Sequence, residues 1–141
     1  MEHGIYKVLV EKTLDLPRKK VFDILVQFGG LEKLLPDMIE SLELVGSGIG
    51  ALRHVGLKGG GRITERLDVA HDGRVFAYSI VANDALPLEN YCAVVTLEDA
   101  GAKTLARWGS NWNTKGISDA EGVAMLTDLY TNLLNGLHKL A

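Results

Sequence analysis

Apolar and polar residues alternate in short runs from Ile39 to Trp112, and turn-forming residues part the runs. The separators are Gly46-Ser47-Gly48, Gly59-Gly60-Gly61, His71-Asp72-Gly73, Asn83 to Leu88 and Asp99-Ala100-Gly101. A period of two broken by such turns predicts five or six antiparallel strands. Phe76, Tyr78 and Ile80 share one face of a strand, as do Tyr91, Ala93, Val95 and Leu97, and then Ala106, Trp108, Ser110 and Trp112. Lys103, Arg107 and Asn111 take the other phase of the last run, so one side of the sheet is wet and the other covered.

Two helical patterns flank this region. Ile5 to Leu14 reads as a strand, with Tyr6, Val8, Val10 and Leu14 in one phase, Lys7 and Glu11 in the other, and Lys12 as an interruption. Asp15 and Pro17 then mark a helix start; Val21, Phe22, Leu25 and Phe28 follow at helical spacing, and Gly29-Gly30 is its expected end. Leu31 to Leu35 adds a short turn stopped by Pro36. From Ser118 onward, Leu126, Leu129, Tyr130, Leu133, Leu137 and Leu140 recur every three or four residues, behind a capping box of Ser118 and Glu121. This pattern predicts a helix of more than twenty residues lying along the covered face. Gly136 inside it implies a close approach to the sheet. The expected class is α+β, with residues 1–141 as one domain.

Composition narrows the function classes. A length of 141 residues suffices for a core, or for a core plus a pocket. The net charge is −3 and no basic block occurs, which argues against nucleic acid or an anionic membrane as partner. Cys92 is the single cysteine, so an internal disulfide and a cysteine-based zinc cluster are excluded. His3, His54, His71 and His138 fall in different segments, and no metal or cofactor is expected. The start MEHGIYKV lacks a signal-peptide run and no apolar stretch of membrane-spanning length follows, so the expectation is a soluble cytoplasmic protein.

The segment Gly56 to Asp68, GLKGGGRITERLD, carries the first chemical clue. A phosphate-binding loop needs its lysine after the glycines and a helix behind it, whereas here the lysine comes first and the following residues alternate like a strand. A hairpin centred on Gly59 sets Val55 opposite Ile63 and Arg53 opposite Glu65, both charges on the covered face. Such a pair is either an ion pair that fixes register or a polar anchor within an apolar cavity. Tyr91, in the inward phase of a later strand, adds a hydroxyl within reach of the same face. Trp108 and Trp112 with Phe76 and Tyr78 form an aromatic wall, read either as core or as one side of a binding site. Small residues beside them, Ala93, Ala106 and Ser110, suggest space. Ser110 has no histidine and acid partners or nucleophile elbow, so nucleophilic hydrolysis is not expected. Cys92 takes the outward phase.

An ordered set of short motifs resembles the START-like superfamily, also called birch-pollen-allergen-like, SRPBCC or helix-grip. Within it the chain is most similar to the polyketide cyclase/dehydrase-type proteins, relatives of the plant abscisic-acid receptors. The motifs are Asp15-Leu16-Pro17 with Val21-Phe22, Leu52-Arg53-His54-Val55, Thr64-Glu65-Arg66-Leu67-Asp68, Tyr78-Ser79-Ile80, Asn90-Tyr91, Thr104 to Trp108, and Leu137-His138-Lys139-Leu140-Ala141. The resemblance implies a curved antiparallel sheet of six or seven strands around a long C-terminal helix, two short helices after the first strand, and an apolar cavity between sheet and helix. It also implies a gate loop at Leu57 to Arg62 (Lys58, Gly59, Gly60, Gly61) and a latch at Asp84 to Leu88 (Leu86, Pro87, Leu88), with Glu65 and Tyr91 as pocket residues. The receptors' Ser-Gly-Leu-Pro gate is missing, their His-Arg-Leu latch is replaced by Leu86-Pro87-Leu88, and their carboxylate-anchoring lysine aligns with Pro36. Abscisic acid is therefore not the expected ligand.

The expected function is binding of a small hydrophobic molecule with a polar end, such as a lipid, terpenoid or polyketide. The expected lining is Arg53, Val55, Leu57, Ile63, Glu65, Tyr78, Ile80, Tyr91, Trp108, Ser110, Trp112, Leu129 and Leu133. Two alternatives stand beside it: a cyclase or dehydratase using Glu65, Arg53 and Tyr91, and a protein-interaction module gated by the ligand. Monomer and dimer are both open.

Overall fold

A computed structural model describes residues 4–141; His3 lies outside them. Strand β1 (Val8–Leu14) leads into helices α1 (Arg18–Val26) and α2 (Leu31–Leu34). Six strands follow: β2 (Ile39–Val45), β3 (Leu52–Leu57), β4 (Arg62–His71), β5 (Val75–Asn83), β6 (Leu88–Ala100) and β7 (Lys103–Thr114). Helix α3 (Asp119–Gly136) closes the chain with a 3-10 turn at Leu137–Leu140. The seven strands form one curved antiparallel sheet in the order β1-β7-β6-β5-β4-β3-β2, the helix-grip architecture.

The local chemistry explains the elements. The β3–β4 hairpin pairs Val55 with Ile63 and Arg53 with Glu65, the register that a turn centred on Gly59 requires. Gly59, Gly60 and Gly61 all have positive φ, a run that side-chain-bearing residues avoid. At the start of α3, the Ser118 hydroxyl accepts from the Glu121 N–H and the Glu121 carboxylate accepts from the Ser118 N–H, each at 3.1 Å. The hydrogen bond from the Ser118 N–H, helped by the Ser118 hydroxyl, pulls the exposed Glu121 carboxyl below its ordinary pKa.

Several expectations need correction. Helix α1 begins one residue later than a Pro17 start, with Pro17 at the N-cap and no side-chain capping bond. It ends before Gly29-Gly30, because Phe28 takes the left-handed conformation (φ 61°) that usually falls to glycine. The ring is 1% exposed, and its packing offsets the backbone strain. The C-terminal helix is α-helical for 18 residues, and its last turn tightens to 3-10. Lys12 does not interrupt β1: it keeps its place in the strand opposite Ala106 and is half-buried. Tyr6 instead leaves that phase, its ring lying over Gly109, where the missing side chain makes room.

Gly136 serves helix-to-helix contact, since a Cβ there would sit 3.0 Å from the Leu34 side chain of α2. The glycine that permits close approach to the sheet is Gly122, where a Cβ would fall 2.7 Å from the Trp112 ring. Helix α3 accordingly packs chiefly against β1 and β7, at one end of the strand order. No helix among the described residues is long and apolar enough to cross a membrane.

Candidate functional site

The β3–β4 hairpin turns two charged side chains inward. Arg53 is 6% and Glu65 8% exposed, and Arg53 Nε donates to Glu65 Oε1 at 2.6 Å. The guanidinium carbon lies 4.0 Å from the centroid of the Phe28 ring, a cation–π contact, and Nη1 makes a long 3.4 Å bond to the Phe28 carbonyl. The left-handed turn at Phe28 thus presents both its ring and its carbonyl to the same cation. Breaking a buried pair of this kind from one side costs about 3–5 kcal/mol, because the surviving charge is stranded.

Beside the pair runs a chain of buried hydroxyls. Trp108 Nε1 donates to the Tyr78 hydroxyl at 3.3 Å, Tyr78 and Tyr91 share a hydrogen bond of 3.2 Å, and Tyr91 is bonded in turn to Tyr130. Ser110, on the same face, accepts from Trp112 Nε1 at 3.2 Å. Burial pushes all three phenols above their ordinary pKa; the negative charge of Glu65 adds to this at Tyr78, and neighbouring phenols add to it at Tyr91 and Tyr130. The network is therefore made of neutral hydroxyls that both donate and accept.

A small cavity of about 50 Å³ lies between sheet and helix. From the sheet it is lined by Arg53, Val55, Leu57, Ile63 and Glu65 of the hairpin, and by Tyr78, Ile80 and Tyr91. Helix α3 supplies Leu126, Leu129 and Leu133, and Leu86 closes one side. The remaining wall is Leu31, Leu35, Met38 and Ile39, from α2 and the start of β2. Five of these residues, Leu35, Met38, Leu86, Leu126 and Leu129, also line an outer groove of about 580 Å³ between the α2–β2 segment and α3. The inner cavity is smaller than a typical ligand site of roughly 300–1,000 Å³, but the groove is within that range.

Three expected lining residues lie elsewhere. Trp108 stacks on Tyr130 with ring centroids 5.4 Å apart, Trp112 meets Gly122, and Ser110 is fully buried and bonded to Trp112. All three belong to the packed end of the inner face. At the expected gate, Lys58, Gly59 and Gly60 are exposed at the hairpin tip, and Gly61 is half-buried against Ala85; none of the four lines the cavity. In the expected latch only Leu86 reaches it, while Leu88 is 3% exposed in the main core and the Pro87 carbonyl accepts from the Lys115 N–H at 2.8 Å.

The two loops are docked together. The Arg62 N–H donates to Asp84 Oδ1 at 2.6 Å and the Asp84 N–H to the Arg62 carbonyl at 3.1 Å. Asn83 holds the second loop in shape: its Oδ1 accepts from the N–H groups of Ala85 and Leu86, and its Nδ2 donates to the carbonyls of Leu86 and Leu88.

Phe28, Tyr130, Leu126 and the α2–β2 wall were missed in the sequence as site components. Tyr130 and Leu126 carried a signal, since both fall on the apolar stripe of α3 with Leu129 and Leu133. Of the histidines, His54 is half-buried with Nδ1 2.8 Å from the Thr64 hydroxyl, and His71 and His138 are exposed. Cys92 is exposed. Among the described residues no group of His, Cys, Asp and Glu is arranged to hold a metal ion.

Comparison with known proteins supplies context. The family model for polyketide cyclase / dehydrase and lipid transport matches residues 6–141. No curated protein matches. Among solved structures, the protein XoxI from Bacillus cereus superposes with a TM-score of 0.79 at 25% identity, covering 94% of this chain and 93% of that one. Norcoclaurine synthase from Thalictrum flavum, solved with dopamine and hydroxybenzaldehyde, gives 0.75 at 16% identity over 99% and 92%. Ara h 8.0201 gives 0.76 at 22% identity over 94% of each chain. At such identities the last two likenesses speak to the fold alone.

Proposed function

The chain belongs to the polyketide cyclase/dehydrase and lipid transport family of the START-like, birch-pollen-allergen-like superfamily, and from that premise we propose that residues 1–141 act as one domain binding a small hydrophobic ligand by a polar end. The observation that carries this reading is the buried Arg53–Glu65 pair at the wall of an otherwise apolar cavity that adjoins a much larger groove. A purely structural ion pair needs no space beside it. Here aliphatic side chains from three separate parts of the chain surround the pair without filling the volume.

Ligand screening tests this directly. Lipids, terpenoids and polyketide-like aromatics are tested by thermal shift, and the purified protein is examined by native mass spectrometry. A ligand present at a hundred times its Kd stabilises by about 2.7 kcal/mol, which raises Tm by several degrees. A library without one stabilising compound, together with a protein free of bound species, would overturn the reading.

A second reading is favoured by the hydroxyl chain. With a carboxylate and two neutral phenols, Tyr78 and Tyr91, on one cavity wall, the site has the groups for proton transfer in a cyclase or dehydratase. Glu65 would act as base and Arg53 would polarise a carbonyl. Glu65→Gln separates the readings: binding kept and turnover lost supports the enzyme, whereas no turnover of any cyclisable ketide by the unmodified protein sinks it.

A further inference from the structure

Resting on the binding reading above, we propose that the ligand's polar end is a neutral hydroxyl, an alcohol or a phenol, carried on an elongated apolar body. Among the described residues, Arg53 and Glu65 are the only charged ones lining the inner cavity, and at 2.6 Å they already neutralise each other. A carboxylate or an ammonium brought beside them would lose its hydration and gain no free counter-charge, a cost that neutral groups avoid.

The remaining valences of the pair set the second condition. Glu65 uses Oε1 for Arg53 Nε, and Arg53 uses Nη1 for the Phe28 carbonyl. Among the described residues no hydrogen bond reaches Glu65 Oε2 or Arg53 Nη2, so the pair keeps both acceptor and donor capacity for an occupant. A hydroxyl donates to the first and accepts from the second, whereas a carboxylate only accepts and an ammonium only donates. Tyr78 and Tyr91 already share a bond with each other and complete the polar wall.

Size sets the third condition. At about 50 Å³, against the roughly 300–1,000 Å³ of a whole-ligand site, the inner cavity receives a head group and not a whole ligand. The body belongs in the outer groove of about 580 Å³, reached between Leu35, Met38 and Leu86 on one side and Leu126 and Leu129 on the other. Met38 and the groove's Met125 suit a body of loosely defined shape.

Matched probes test the idea on the full chain at pH 7.5: decan-1-ol against decanoate and decylamine, and 4-hexylphenol against 4-hexylbenzoate. Isothermal calorimetry or tryptophan fluorescence reads the affinities. The expected result is at least tenfold tighter binding of each hydroxyl probe than of its charged partners. Glu65→Gln strands the Arg53 charge, and the expected preference then reverses towards decanoate and 4-hexylbenzoate. The ranking on the unmodified protein decides the matter should this variant not fold. Equal or tighter binding of the acids to the unmodified protein overturns the hydroxyl assignment and leaves ligand binding standing; failure of all five probes overturns the hydroxyl assignment, and the binding reading falls with it when the wider library and native mass spectrometry fail as well.

Discussion

The inner face of the sheet has two ends that look alike in residue pattern and differ in packing. At the β6–β7 end, Trp108 stacks on Tyr130, Trp112 lies against Gly122, and Ala93, Ala106 and Ser110 are completely buried. At the β3–β4 end, Arg53, Val55, Ile63 and Glu65 are almost as buried, and yet a cavity remains between them and the helix. Small residues do not create the space. At the packed end they make room for large rings, and the volumes sum to a filled layer. At the open end medium-sized aliphatic side chains face a helix that has drawn towards β1 and β7. Tyr78, Tyr91 and Tyr130 form the seam, with two of the three on the cavity wall and the third in the aromatic stack.

The largest expected effect comes from emptying the filled end. Trp108→Ala should cost about 3–5 kcal/mol in urea-unfolding free energy, through lost burial, lost stacking on Tyr130 and a cavity that cannot collapse. A loss under about 1 kcal/mol would mean that this end is no better packed than the other.

At the open end the ion pair should show an asymmetry. Arg53→Met alone strands Glu65 and should cost about 3 kcal/mol or more, while Arg53→Met with Glu65→Leu should restore most of that stability and abolish ligand binding. Should the double variant be as unstable as the single one, the pair is needed for folding and the comparison with an ordinary core regains force.

The seam is tested by alkali. The folded-state pKa values of Tyr78, Tyr91 and Tyr130 lie above the unfolded value near 10, first because of burial. Their protonated forms are favoured in the native state, so their contribution to stability is intact below pH 10. It falls as pH rises beyond 10, by about 1.4 kcal/mol per pH unit for each group that ionises only on unfolding. Unfolding free energies measured between pH 9 and 11 should show this decline, and Tyr130→Phe should make it shallower by one group. An unchanged slope in that variant would place Tyr130 outside the network.

How far the sequence revealed the site follows from the kind of signal each residue carries. Arg53 and Glu65 were legible because a hairpin with a glycine centre fixes register, and register sets which side chains face each other and on which side. Leu129 and Leu133 were legible from the apolar stripe of α3. The wall formed by Leu31, Leu35, Met38 and Ile39 was not, since a four-residue helix and the segment after it have no period that points to a face. Phe28 was hidden because its left-handed backbone goes against the rule that assigns such positions to glycine.

The sequence by itself determined the order of elements, the covered and wet faces of the sheet, the C-terminal helix and the opposed charges on β3 and β4. All of these follow from periodicity and turn chemistry within a few neighbouring residues. Only the tertiary structure decided which end of the covered face would be filled. Phase along a strand tells up from down but not near from far. That distance is set by where α3 comes to rest, drawn against β7 at Gly122 and against α2 at Gly136. It leaves the aromatic residues as core and the ion pair beside open space.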